Sequence, residues 1–147
     1  MARHVWSVLC SKSVIDRNSN NVSLMEVVEQ ISISPDPGSD INGILPLSYD
    51  LVSFWVRSEL NTAEHPQGRV RLVGPKQEFP WREFTVDLER PRARLVMKIN
   101  GLPWAGFGRY EWQIEAKSAD GSWQRVAFVP IDIQLGEEAA KADIEPK

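Results

Sequence analysis

The chain is poor in the residues on which most chemistry at protein sites depends. Its 147 residues include one cysteine, Cys10, and two histidines, His4 and His65. A single cysteine excludes an internal disulfide, and a zinc site needs about four nitrogen, sulfur or carboxylate ligands. The nucleophile motif Gly-x-Ser-x-Gly is absent, and neither histidine lies in a recognised catalytic motif. We therefore expect no metal, no cofactor and no enzymatic activity.

Long apolar runs and an excess of positive charge are also missing. The chain has 17 Lys and Arg against 20 Asp and Glu, a net charge of −3, so it has no field that attracts a polyanion. The first ten residues contain no apolar run of signal-peptide length, and no segment is long enough to cross a bilayer. Together with the lone cysteine, these features favour a cytoplasmic protein that binds neither nucleic acid nor a membrane.

The clearest pattern is the alternation of apolar and polar residues from Arg109 to Lys117. The apolar side chains are those of Tyr110, Trp112, Ile114 and Ala116, and the polar ones those of Arg109, Glu111, Gln113, Glu115 and Lys117. A period of two over nine residues predicts a β-strand with one dry and one wet face. If that face is dry, truncating Trp112 to Ala costs about 3–5 kcal/mol.

Turn residues divide the rest of the chain into short segments rich in apolar residues. Strands are predicted at Val5–Ile15, Val22–Ile33, Leu47–Val56, Arg69–Val73, Trp81–Leu88, Ala93–Ile99, Arg109–Lys117 and Trp123–Leu135. About eight closely spaced strands without a βαβ rhythm predict an all-β, antiparallel β-sandwich of immunoglobulin-like or similar Greek-key topology. Leu47–Val56 is apolar on both faces and is expected at the centre of a sheet. Residues 1–135 form the single domain, and 136–147 are a polar tail that we expect to be flexible.

One segment, Val22–Ile33, has two interpretations. Ser23 and Glu26 have the spacing of a helix capping box, and the following apolar residues have helical spacing. The many β-branched residues favour a strand instead, as does the preceding turn at Asn18–Asn21.

Several short stretches resemble a family of uncharacterised bacterial β-sandwich proteins that share a domain of unknown function. The stretches are Val8–Cys10, Asn18–Asn21, Ser23–Ile31, Asn100–Pro103 and Gly108–Trp112. The resemblance implies a β-sandwich and favours a strand at Val22–Ile33, but it brings no catalytic residues. Glu26 departs from it, since a small or amide residue is expected at that position.

The loop from Gly101 to Arg109 carries large aromatic side chains where a solvent-facing connection is normally polar. Trp104 and Phe107 lie among Gly, Pro and Ala, and Arg109 follows at the edge. Either the loop folds back to plug one end of the sandwich, or it presents an aromatic surface to a partner. Trp104, Phe107 and Arg109 are therefore the candidate binding residues.

Two sets of alternating arginines allow a basic patch if their strands are neighbours. One set is Arg69 and Arg71, and the other is Arg90, Arg92 and Arg94. The alternative is that these arginines pair with Glu83, Asp87 and Glu89.

These features predict a non-enzymatic interaction or structural module. Its partner is then another protein, or a second copy joined through an edge strand. The alternative is a small-ligand or carbohydrate-binding module that uses exposed aromatic residues. Coplanar exposed aromatics in a groove favour a sugar, whereas a flat apolar patch favours a protein.

Overall fold

The computed structural model describes residues 2–34 and 43–136. These residues form nine strands, one more than the sequence predicts. The strands are β1 (Arg3–Ile15), β2 (Val22–Val27), β3 (Gln30–Ile33), β4 (Ile44–Val56), β5 (Gln67–Val73), β6 (Arg82–Thr85), β7 (Arg92–Pro103), β8 (Gly108–Lys117) and β9 (Trp123–Leu135).

Two packed sheets confirm the predicted β-sandwich. Sheet A has the order β2-β1-β4-β7 and sheet B has the order β3-β9-β8-β5-β6. The run β1-β4-β7 follows the A-B-E order of immunoglobulin-like sandwiches, and β9-β8-β5-β6 follows their G-F-C-C′ order. β4 lies between β1 and β7, as expected for its two apolar faces. The pairing of β3 with β9 is parallel, and the other strand pairs are antiparallel.

The alternation along β8 predicts its orientation correctly. Tyr110 and Ile114 are fully buried, and Trp112 lies opposite Leu72 of β5 on the same inner face. Trp112 itself is half-buried rather than fully buried. Gln113 is on the outer face as predicted, yet it is buried because charged side chains of neighbouring strands cover it.

Val22–Ile33 is extended, as its β-branched residues and the resemblance suggest, but it forms two strands rather than one. β2 pairs with β1 in sheet A, and β3 pairs with β9 in sheet B. The chain leaves sheet A next to Glu26, whose φ of 53° is left-handed. Glycine and asparagine adopt that conformation at the least cost, which gives a physical reason to expect a small or amide residue there.

Two short turns join consecutive strands into hairpins. β8 and β9 are joined across Asp120-Gly121, where Gly121 has a φ of 87° and the Asp120 carboxylate accepts a hydrogen bond from the Ser122 amide. β1 and β2 are joined by the turn at Asp16–Asn21, and Asn20 at its tip accepts a hydrogen bond from Arg94 of β7. The tip of this hairpin therefore reaches across sheet A to its far strand.

The predicted tail, 136–147, lies outside the described residues except for Gly136. Within the two described ranges, no helix has the length and apolar character that a membrane crossing requires.

Candidate functional site

The two sides of the sandwich are closed to different degrees. On one side β2 leads into β3 through two residues, Val28 and Glu29, so the chain itself joins the two sheets. On the other side the edge strands are β7 of sheet A and β6 of sheet B. β6 pairs with β5 from Gln67 to Val70, and beyond it the pairing is reduced to a bridge between Val73 and Glu78 and a hydrogen bond from the Phe79 amide to the Leu72 carbonyl. A groove opens there between the sheets.

The groove has a volume of about 720 Å³ and an apolar interior. Leu51, Val70 and Leu72 form its floor and belong to the buried core. Met97 and Ile99 of β7 contribute half-buried apolar side chains to its lining. Ligand sites in proteins commonly have volumes of about 300–1,000 Å³, are mostly apolar and carry a few polar groups.

Trp112 also lines the groove, which explains why the side chain is half-buried. Its indole Nε1–H donates a hydrogen bond to the Tyr49 hydroxyl over 3.1 Å. Burial raises the pKa of Tyr49 to about 12, despite the opposing effect of that hydrogen bond. The hydroxyl is therefore neutral at physiological pH, and the pair fixes the Trp112 ring across the two sheets.

The charged residues that line the groove are all positive. Arg71, Arg82 and Lys98 line it, and none of the described lining residues is acidic. Arg71 is committed to other groups, since its Nη1 lies 3.1 Å from Glu78 Oε2 and its Nε donates to Gln113 Oε1 over 2.9 Å. Lys98 Nζ lies 3.3 Å from Asp50 Oδ1. Arg82 has no ion pair with any residue in the ranges 2–34 and 43–136, and its side chain is exposed.

The candidate loop Gly101–Arg109 is held in place by Tyr110. The Tyr110 hydroxyl accepts a hydrogen bond from the Ala105 amide over 2.7 Å and donates one to the Gly106 carbonyl over 2.8 Å. Gly106 has a φ of 95°, so its left-handed conformation turns the loop toward that hydroxyl. A tyrosine near the start of strand F bonds back to the preceding corner in the same way in immunoglobulin-like sandwiches.

The three candidate binding residues are separated in burial and do not line the groove. Trp104 is half-buried and packs against the core, which is the plugging arrangement, whereas Phe107 is 41% exposed. Their rings meet edge to face, with centroids 4.9 Å apart and planes at 85°.

Arg109 is exposed and paired with Asp132, since its Nε lies 2.8 Å from Asp132 Oδ1. That hydrogen bond lowers the pKa of Asp132 despite partial desolvation. The first part of the loop, Gly101 and Pro103, does line one end of the groove.

The two arginine sets do not form a common basic patch, because they lie in different sheets. Arg69 and Arg71 are on β5, whereas Arg92 and Arg94 are on β7. Arg69 donates to Glu115 on β8 rather than to the acidic residues near β6 that the sequence suggests. Its guanidinium lies between two indole rings, 4.2 Å from the centroid of Trp81 and 4.6 Å from that of Trp123. Arg69 and Arg71 therefore both have stacking and ion-pair partners within the protein.

The structure places His4 in a chain of hydrogen bonds that sequence patterns do not indicate. Its Nε2 lies 2.7 Å from Ser7 Oγ, which lies 2.8 Å from Ser53 Oγ in the buried interior. Burial lowers the pKa of His4, although a backbone hydrogen bond at Trp6 opposes the shift. The pairing of β1 with β4 has a register shift between His4 and Trp6, and the sequence gives no sign of it. None of the three residues lines the groove.

His65, Asp87 and Glu89 form an exposed group whose ligand atoms lie within 4.8 Å of one another. His65 Nδ1 is 3.6 Å from Asp87 Oδ1, and Nε2 is 3.5 Å from Glu89 Oε1. Because each ring nitrogen faces a different carboxylate, the arrangement is that of two surface ion pairs formed when the imidazole is protonated.

Comparison of the chain with family models, curated proteins and solved structures yields no match. The resemblance to bacterial proteins that share a domain of unknown function therefore stays a prediction.

Proposed function

We propose that this domain is a non-enzymatic binding module that holds the apolar part of a ligand in the groove between its sheets. The observation that supports this proposal is the groove of about 720 Å³ lined by Leu51, Val70, Leu72 and Trp112. A closed sandwich would fill that space with its own side chains, because protein interiors are close-packed. An open apolar space of this size favours a ligand over a purely structural role.

The aromatic residues argue against a sugar as the ligand. Sugar binding by stacking requires an aromatic face that is open to the ring. The Trp104 and Phe107 planes are almost perpendicular, so the pair offers no common platform. Arg69 and Arg71 stack on the Trp81 ring, at 4.2 and 4.4 Å from its centroid, and occupy the faces that a sugar would use.

The proposal is tested with a neutral apolar fluorophore, N-phenyl-1-naphthylamine, whose emission rises in an apolar site. The wild-type protein should bind it saturably, and Ile99→Asp should weaken binding at least about tenfold by placing a charge on the groove wall. Val96→Asp is the matched control, because Val96 is a half-buried residue of the same edge strand but pairs with Val52 on the opposite face. It should bind the fluorophore as the wild type does.

Absence of saturable binding to the wild-type protein would contradict the proposal, as would equal binding to both variants. Thermal unfolding of each variant checks that it is folded.

A second candidate function is binding to another protein through the loop Gly101–Arg109 and the adjacent start of β4. The exposed apolar side chains there favour it. Phe107 is 41% exposed, and Ile44, which lies against Gly101, is 67% exposed. Aromatic residues of this kind are frequent anchors of protein interfaces. Replacing Trp104 and Phe107 together by Ser should then abolish recovery of the partner in a pull-down and hardly change the melting temperature. If the loop only plugs the sandwich, the double variant should instead lose several degrees of melting temperature, because it loses packing.

We also propose a cytoplasmic location. Cys10, the single cysteine of the chain, is a buried free thiol whose pKa is raised by burial and by the nearby charge of Asp50. A reducing compartment fits such a residue. Oxidation of the purified protein in air should leave it monomeric on non-reducing electrophoresis, whereas a disulfide-linked dimer would contradict the burial.

A further inference from the structure

We infer that the ligand of the groove is an amphipathic anion, with an unbranched apolar chain inside the groove and a carboxylate or phosphate group at Arg82. This inference rests on the proposed function and specifies its ligand class. The apolar interior and the charges at the groove determine it together.

The interior of the groove suits an aliphatic chain. Leu51 is fully buried, Leu72 is 2% exposed and Val70 is 5% exposed, so these three form a covered floor. An aliphatic chain in the groove contacts mainly the half-buried side chains above that floor, such as those of Met97, Ile99 and Trp112. Burial of each methylene group strengthens binding about fourfold. Met97 and Ile99, two of the residues that β7 contributes to the lining, are flexible or aliphatic and offer no hydrogen-bonding groups. A polar ligand would find no partners at this depth.

The charges at the groove select an anion. The protein has a net charge of −3, yet none of the described residues that line the groove is acidic. Three of them are cations, of which Arg71, opposite Gln113, and Lys98, opposite Asp50, belong to the outer faces of their sheets. Lys98 is shared with Asp50, and Arg71 with Glu78, so each of these two cations is already offset. Arg82 is the cation at the groove that has no acidic partner among the described residues.

The register of the strands places Arg82 on the inner face of sheet B, at the exposed edge of the groove. Arg82 lies opposite Val70 in the pairing of β5 with β6, and residues that lie opposite one another share a face of the sheet. Val70 belongs to the buried core, so that face is the inner one. Arg82 is therefore the headgroup residue, because a guanidinium binds a carboxylate or phosphate in a bidentate manner. An apolar chain attached to that headgroup extends from Arg82 toward Val70.

The test compares three ligands that share a ten-carbon chain: decanoate, decanol and decyltrimethylammonium. Isothermal titration calorimetry below the micellar concentration gives their affinities. The wild-type protein should bind decanoate at least about tenfold more tightly than the other two. Arg82→Gln should reduce decanoate affinity at least about tenfold and leave decanol affinity unchanged. Arg90→Gln is the control, since Arg90 is an exposed arginine outside the groove.

Three results would overturn the inference while leaving the groove as a binding site. The first two concern affinity. One is equal affinity of the wild type for all three ligands, and the other is unchanged decanoate binding in Arg82→Gln. Binding of N-phenyl-1-naphthylamine without binding of decanoate would do the same. If an acidic extended peptide bound with Arg82 dependence where decanoate failed, the ligand would be a protein segment instead. Failure of the fluorophore as well would contradict the proposed function itself.

Discussion

At the scale of single residues, the most informative side chain is Tyr110, because one hydroxyl group determines the shape of the loop before β8. It accepts from the Ala105 amide and donates to the Gly106 carbonyl. Gly-x-Tyr at the head of a strand is visible in the sequence and indicates a sandwich. The partners of the hydroxyl are not visible there, because they depend on the left-handed turn at Gly106.

Removal of this hydroxyl should destabilise the fold without disturbing the packing of the ring. Tyr110→Phe leaves the Ala105 amide unsatisfied in a buried position, which costs about 1–3 kcal/mol. Tyr49→Phe removes one hydrogen bond rather than two and should cost less. The free energies of unfolding in urea measure both. Equal stability of Tyr110→Phe and the wild type would show that the hydroxyl does not hold the loop.

His4 gives the stability a pH dependence whose sign follows from its burial. The folded state lowers the pKa of His4 below its ordinary value of 6.5, so the unfolded chain binds the proton more readily. The stability contributed by neutral His4 is therefore fully present above pH 6.5, and it is lost as the pH falls through the pKa of His4 in the folded state. On going from about pH 7.5 to about pH 5.5, His4→Gln should lose less stability than the wild type. An equal loss in both proteins would contradict the assignment.

At the scale of elements, the extended segment Val22–Ile33 is the clearest case of partial prediction. Its β-branched composition predicts the extended conformation. The division into β2 and β3 was not predicted, because it depends on which sheet each half joins. Glu26 is the local signal for the break, since its left-handed φ is uncommon for a residue with a side chain.

Relief of that strain should be measurable. Glu26→Gly should be neutral or stabilising by up to about 1 kcal/mol, because the left-handed conformation costs a side chain about 1–2 kcal/mol and glycine adds its own entropic cost. The control is Met25→Gly, at an exposed β2 residue with ordinary φ, which should be destabilising. If both variants were destabilised equally, the backbone at Glu26 would carry no strain.

The strand β8 shows what an alternating pattern does and does not predict. It predicts correctly that Tyr110, Trp112 and Ile114 face inward. It gives no indication that Trp112 borders a groove, because that depends on the length of β6 and on the opposite sheet. The expected cost of about 3–5 kcal/mol for Trp112→Ala assumes a dry face, and half-burial lowers it.

A comparison within β8 tests this revision. Ile114 is fully buried, so Ile114→Ala should cost about 2–5 kcal/mol. Trp112→Ala removes a larger side chain, yet it should cost less than the full value for a buried tryptophan and should also weaken binding of apolar ligands. Denaturant titration gives the stability, and the naphthylamine fluorescence gives the binding. A cost of about 5 kcal/mol with unchanged binding would place Trp112 in a dry core and not at the groove.

At the scale of the whole molecule, the fold class could be predicted and the candidate site could not. Strand spacing and turn residues are local signals, and they indicate a sandwich. The groove combines Val70 of β5, Arg82 of β6 and Ile99 of β7, which are distant in sequence and belong to both sheets. The sequence draws attention to the loop at Gly101–Arg109 instead, because its aromatic residues are unusual for a loop. That loop meets the groove only through Gly101 and Pro103.

The most direct test of the central claim, that the groove is the ligand site, is a map of backbone amide chemical shifts during titration with N-phenyl-1-naphthylamine. The account predicts that the largest changes occur at Val70–Leu72, Phe79–Arg82 and Met97–Gly101. The first two segments are neighbours in sheet B and the third belongs to sheet A, and all three line the groove. Changes should be small on β9 and at the turn Asp16–Asn21. Changes confined to Trp104–Arg109 or to β9 and that turn, or the absence of saturable changes, would contradict the claim.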